Sequence, residues 1–213
     1  MATLTSLRAE LRADLHDADV AAAARRWTDA ALDRHLARAA RELSLALPRE
    51  RRTTLQTSAG SREISISTLA DLVRVEAVEW PVGLYPPAFV RFSVWETALT
   101  LLVDAAPAGV EDVTVYWGAL HAVDESGSTV PAYAEEALLL GAAGYAAVEW
   151  ASFATNRANV AGLEAVNDYA AWGRERLRAF RSELRRLAAR VRSGALYVPA
   201  GEASGRDVVT WEP

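Results

Sequence analysis

Leu4, Leu7, Leu11 and Leu15 recur at spacings of three and four along the first fifteen residues. This is the pattern of a short amphipathic helix. The stretch HDADVAAAAR that follows reads as a connection. A second helix then begins with a legible start. Thr28 is a good N-cap, Asp29 places negative charge in the first turn, and Trp27 and Leu32 occupy the two positions of a hydrophobic staple. Ala31 stands where a full capping box would need Glu or Gln. Leu32, Leu36, Ala39, Leu43 and Leu47 line one face, and Pro48 stops the helix. Arg34, His35, Arg38 and Arg41 fall on its polar faces.

From Thr53 the period shortens. TTLQTSAGSREISIS reads as two short strands around a turn at Ala59 and Gly60. In LVRVEAVEWP, Val73, Val75 and Ala77 alternate with Arg74 and Glu76, as in a half-buried strand. Pro81, Gly83, Pro86 and Pro87 mark a loop. FVRFSVWETALTLLVD contains two strand-like stretches, APAG a turn, and EDVTVYWGAL a further strand. Residues 53–121 therefore predict a small, mostly antiparallel β region of four to six strands. DESGSTVP is a loop into a third helix, with Pro131 at an early helical position. That helix runs to about Asn156 and carries Gly141, Ala142, Ala143, Gly144, Ala146 and Ala147. Two glycines so close together weaken a helix, which points to tight packing against a neighbour. The last helix, Leu163 to Ser193, has a narrow seam of Leu177, Phe180, Leu184, Leu187 and Val191. Gly194 is its C-cap.

The fold class is α+β: mainly a helical bundle with an inserted small antiparallel β region and an extended C-terminal tail. Residues 1–52 form the N-terminal part of the bundle, 53–130 the β-rich insertion, 131–193 the long helices that complete the bundle, and 194–213 the tail. The tail is rich in Gly, Ala and Pro. It still carries Tyr197, Val198, Val208, Val209 and Trp211, which suits docking on a neighbour.

Composition narrows the chemistry. The 213 residues include no cysteine, so disulfides, thiolate catalysis and cysteine-ligated zinc are excluded. The N-terminus carries Arg8, Glu10, Arg12 and Asp14 and does not read as a signal peptide. The near-apolar run Ala137 to Val148 is short of the roughly 20 residues that a bilayer span requires. A soluble intracellular protein with no membrane partner is expected. The net charge of −5 is unevenly spread: residues 53–130 hold three arginines against ten acids, and residues 164–192 eight arginines against four. Such segregation suits complementarity between neighbouring copies.

No motif carries catalysis. His16, His35 and His121 lie on separate segments with no pair at metal-ligand spacing. Glu135 and Glu136 suit a helix N-terminus, and adjacent carboxylates point apart rather than across a cleft. GSREIS and GAAG match neither a Walker loop nor a dinucleotide fingerprint. No cofactor, metal or catalytic residue is assigned. Arginines on the last helix could touch phosphates, but a dedicated DNA reader is usually basic, and this chain has a pI near 5.3.

The order of these features resembles the bacteriophage head-to-tail adaptor family, also called head completion or connector proteins. Three stretches carry the likeness: a Leu-rich helix ending in LHD before RWTDAALDRHLARAARELS; an insertion ending in VTVYWGALHAVDESGSTVP; and EEALLLGAAGYAAVEWAS before a long amphipathic helix. Together they span most of residues 1–192. The long β-rich insertion departs from the smallest members. The resemblance implies a structural, non-enzymatic neck protein of the virion, made in the host cytoplasm. It would form a ring, usually of twelve copies, between the portal protein and a tail or stopper protein, and would extend the DNA channel with non-specific contact to packaged DNA. Tyr197, Val198, Val208, Val209 and Trp211 would then anchor the tail on a partner. Arg178, Arg181, Arg185 and Arg192 would meet acidic neighbours or face the channel. The competing readings are a helical nucleic-acid-binding regulator and a virion-associated hydrolase.

Overall fold

The computed structural model describes residues 2–18, 21, 24–155 and 163–191. Its elements are α1 (Leu4–Asp14), α2 (Asp29–Ala46), β1 (Arg49–Gln56), β2 (Glu63–Ser65), β3 (Leu72–Glu79), β4 (Phe92–Trp95), β5 (Ala98–Leu101), β6 (Asp112–Ala119), β7 (Val123–Asp124), β8 (Gly127–Ser128), α3 (Ala132–Thr155) and α4 (Leu163–Val191).

Local sequence sets the helix ends. Thr3 and Ser6 form a reciprocal capping box at the start of α1. At its other end, His16 adopts φ 51°, its N–H donates to the Ala13 carbonyl, and the Asp17 N–H donates to the Arg12 carbonyl. This is a Schellman closure with histidine at the left-handed position that usually selects glycine. Thr28 caps α2 as its sequence predicts, its side chain accepting from the Ala31 N–H at 3.2 Å. All five stripe residues, Leu32, Leu36, Ala39, Leu43 and Leu47, are buried.

The helices share one core, in which Leu7, Leu11 and Leu15 of the α1 segment meet the α2 stripe, the small face of α3, and Phe180, Leu184 and Leu187 of α4. The glycines of α3 have a clear purpose. A Cβ at Gly141 would lie 2.8 Å from the ring of the fully buried Phe180, and one at Gly144 would lie 3.1 Å from the Gly173 carbonyl oxygen. Gly173 answers from α4, where a Cβ would lie 3.0 Å from the Gly144 oxygen. The two backbones therefore touch, and only residues without a Cβ permit it. By length and composition Ala132–Ala154 could cross a membrane, and it exceeds the apolar run seen in the sequence. It is largely buried between its neighbours, as the central helix of the bundle.

The β region differs in detail from its sequence pattern. β1 begins at Arg49, directly after Pro48 and four residues before alternation sets in. β1 and β2 flank the expected turn at Gly60 (φ 73°) but do not pair with each other. Sheet order is β1-β6-β3 in one layer and β2-β5-β4 in the other, all antiparallel. Both layers contribute to a second core of Ile64, Leu99, Leu101, Val113, Val115 and Trp117, among others. β3 does not alternate cleanly, because its register against β6 shifts between Leu72 and Arg74 and again between Val75 and Ala77. Bulges of this kind rotate the side chains that follow, and Ala77, Val78 and Glu79 end up buried in succession. β1 to β6 make six strands, within the expected four to six, and the stretch read as a loop before α3 adds the short β7-β8 hairpin. With a core of its own, the β region makes the architecture α+β, not mainly a helical bundle.

His121 and Gly118 join the two parts. The His121 ring lies 3.1 Å from Thr129 Oγ1 through Nδ1 and 3.0 Å from the Leu47 carbonyl through Nε2. Its backbone N–H donates to Ser44 Oγ. Gly118 lets β6 pass over Pro48, where any Cβ would sit 2.6 Å from the proline ring.

Candidate interaction surfaces

The N-terminal end of α2 is tied down by charge. The Arg12 guanidinium, 7% exposed, donates to Asp17 Oδ2 at 2.7 Å, to the Trp27 carbonyl at 3.0 Å and to Asp29 Oδ1 at 2.5 Å. Asp17 Oδ1 also accepts from the Arg26 backbone N–H. The Arg12 hydrogen bond holds the Asp29 carboxyl below its ordinary range. Nearby, Trp27 Nε1–H donates to the Ala146 carbonyl, and its ring meets Trp150 and Tyr169. Trp27 was legible as a staple residue. Arg12 was not, because nothing in its local pattern distinguishes it from the exposed charges beside it.

His35 corrects the sequence reading, which placed it on a polar face; it is buried, 2% exposed. Its Nε2 lies 3.5 Å from Glu149 Oε2 but makes no hydrogen bond. Burial pushes its pKa below 6.5, and Glu149 offsets only part of that. Burial lowers His121 as well. Both rings therefore take up a proton less readily in the fold than in the unfolded chain. The stability they contribute is complete above about pH 6.5 and is lost as pH falls below it. Melting scans from pH 7.5 to 5.5 should show a declining Tm, with each histidine contributing at most about 1.4 kcal/mol per pH unit. The decline should be shallower in His35→Gln. A Tm independent of pH over this range would contradict the assignment.

The arginines of α2 and α4 form a basic face. Arg34 pairs with Glu149 at 2.5 Å, Arg38 stacks 4.0 Å above the Tyr145 ring, and Arg181 Nε donates to Glu42 Oε1 at 3.1 Å, where Glu42 also accepts from the Tyr145 hydroxyl. These three arginines thus find partners within their own chain. Arg174, Arg178, Arg181 and Arg185 share one side of α4 by their spacing of three and four. Arg178 and Arg185 are exposed, with no acidic partner among the described residues. Arg192, Tyr197, Val198, Val208, Val209 and Trp211 lie outside the described residues.

The other side of α4 is different. Tyr169, Trp172 and Arg176 line a cavity of about 290 Å3 with Asp14, Leu15 and His16. An adjoining cavity of about 450 Å3 shares Asp14 and Arg176 and is lined further by Glu10, Glu135, Glu136, Leu139 and Leu140. Together they make a groove with an apolar floor and an acidic rim. Arg176 is the one arginine lining the two cavities, and its guanidinium lies over the Trp172 ring.

A third surface is apolar. Tyr85 is 99% exposed and Trp95 81% exposed, with Leu84, Phe89 and Val94 also open to solvent. They sit on the loop between β3 and β4 and on the edge strand β4. The sequence marks this loop by its prolines and Gly83 and the strand by its alternation, but it does not single out either as an exposed apolar surface. Among the described residues no group of three or more His, Asp or Glu side chains is arranged to hold a metal ion.

No family model matches the chain, and no curated protein matches it. Among solved structures, the chain is similar to a component of the neck of an empty GTA particle computed with C6 symmetry. Identity there is 18%, covering 76% of this chain and 82% of that one, with a TM-score of 0.30. It is also similar to a component of the neck of a native GTA particle computed with C12 symmetry, at 18% identity over 94% of this chain and 96% of that one, with a TM-score of 0.29. Likeness at this level establishes neither a family nor a function.

Proposed function

We propose that the protein is a structural adaptor of a virion neck. It assembles as a ring between the portal and the tail or stopper and lengthens the DNA channel. The order of sequence features that resembles the head-to-tail adaptors sets the class. The observation that carries the reading is the distribution of surfaces: a basic face, an acidic groove and an exposed apolar patch occupy different parts of one fold. Such a molecule is equipped to touch several neighbours at once. The C-terminal segment, with Tyr197, Val198, Val208, Val209 and Trp211, is assigned to the portal, and the ring is assigned twelve copies to match it.

Truncation after Gly194 tests this reading. The shortened chain should melt within about 2 °C of the full chain, because the cores described above lie wholly N-terminal to the cut. It should fail to join the portal, leaving DNA-filled heads without tails. Electron microscopy of particles carrying a tagged full chain should place it in a collar at the head–tail junction. Normal tailed particles from the truncated chain would exclude the portal role of the tail. Tagged density elsewhere in the particle would exclude the adaptor.

A further inference from the structure

We infer that the ring is built by a head-to-tail electrostatic contact, in which the basic α2/α4 face of one copy docks on the acidic α1/α3/α4 groove of the next. The inference rests on the ring reading and names the two surfaces that make it. Three observations support it.

The first is position. An α-helix turns about 100° per residue, so Arg176, which lines the groove, lies roughly half a turn away from Arg174, Arg178, Arg181 and Arg185. Arg181 reaches Glu42 of α2 on one side, while Tyr169, Trp172 and Arg176 line cavities with α1 on the other. The two faces point apart, so the arginines of the basic face that lack an acidic partner cannot reach the groove of their own copy. A contact between unlike faces is heterologous and propagates, closing into a ring when the rotation allows.

The second is charge. On the basic face, Arg34, Arg38 and Arg41 of α2 flank the four arginines of α4, and Glu42 and Glu149 are the acids paired with them. Arg41, Arg174, Arg178 and Arg185 have no acidic partner among the described residues. On the groove, Glu10 and Asp14 of α1 and Glu135 and Glu136 of α3 surround Arg176, and Arg186 is near enough to Glu136 to feel its charge, which leaves the acids in excess. The excess on each side is of the sign the other lacks, so like faces repel and unlike faces attract.

The third is shape. The groove is a concavity with an apolar floor of Leu139, Leu140, Leu15 and Trp172. Arginine is suited to fill it, because its methylenes cover apolar surface while its guanidinium reaches a carboxylate at the rim.

Charge reversal in two variants tests the contact. R178E/R185E makes the basic face acidic, and E10R/D14R makes the groove basic. All four positions are exposed, so both variants should melt like wild type. In sedimentation at low salt the wild-type chain should self-associate in a concentration-dependent way, more weakly as salt shortens the Debye length. Each variant alone should associate on the order of tenfold or more weakly. An equimolar mixture should recover association, because the acidic face of one variant now fits the basic groove of the other. The inference is overturned by a wild type that stays monomeric at low salt, by variants that associate normally, or by a mixture that fails to recover. It is also overturned if R178E/R185E loses duplex DNA binding while self-association is intact, since the face would then serve DNA. Recovery in the mixture with no neck density in particles would sink the adaptor reading and leave the contact standing. Neck density with reversal variants that associate normally would do the opposite.

Discussion

Arg12→Ala should destabilise the fold by about 3–5 kcal/mol, the range for breaking a buried ion pair by removing one partner. For a chain of this size that corresponds to a fall in Tm of roughly 10 °C or more. The size follows from what is left behind. Asp17 is 1% exposed, and without the guanidinium its carboxylate is buried with only backbone N–H groups for company. The Trp27 carbonyl loses its donor at the same time. The attachment of the α1–α2 connection to the cap of α2 depends on this one side chain. Arg12→Lys should recover only part of the loss, because an ammonium cannot span Asp17, Asp29 and the Trp27 carbonyl as a planar fork does. Thermal melts of both variants check this. An Arg12→Ala protein as stable as wild type would show that the network is incidental.

Gly144→Val should cost about 3 kcal/mol, at the upper end of overpacking penalties. The added Cβ would stand 2.8 Å from Leu177 Cγ and 3.1 Å from the Gly173 carbonyl oxygen. The leucine can move, but the carbonyl belongs to a helix backbone, so α3 and α4 must separate along their whole contact. Gly173→Val should act similarly from the other side, against Val148, Ala147 and the Gly144 oxygen. The control is Gly109→Ala, where nothing lies within 4 Å of the new Cβ and the change should stay within about 0.5 kcal/mol. Denaturant unfolding of the three variants separates close helix contact from a general intolerance of larger residues.

Much of the bundle is legible in the sequence. Thr28, Trp27 and the stripe from Leu32 to Leu47 announce α2, because capping and a 3.6-residue period are local properties of the chain. The glycines of α3 announced a close neighbour, because a helix keeps them against propensity only for packing. The neighbour itself, Gly173, carried no such signal. One isolated glycine in a long charged helix looks like tolerance rather than design until the opposing backbone is seen. His35 was misassigned for a related reason. It stands three residues after Leu32 and four before Ala39, on the shoulder of the stripe, and its burial depends on how far α3 covers that shoulder.

The β region shows the same division. The number of strands between Arg49 and Ala119 and the turn at Gly60 could be read from alternation. The pairing of β1 with β6, sixty residues away, could not, because pairing is a long-range choice that local pattern does not encode. Nor could the two bulges of β3, which broke the alternation that identified the strand. The interaction surfaces followed the same rule. The arginine spacing of α4 was visible in the sequence. The acidic groove was not, since Glu10, Asp14, Glu135 and Glu136 come from two helices more than a hundred residues apart.

The sequence alone thus determined the helices, the Thr28 cap of α2, the presence of a strand-rich middle and the need for tight packing at α3, because each follows from the chemistry of residues close in the chain. Only the tertiary structure decided which strands pair, which charged groups are buried, and which surfaces face opposite ways. Those outcomes depend on what lies across from each residue once distant segments exclude water between them.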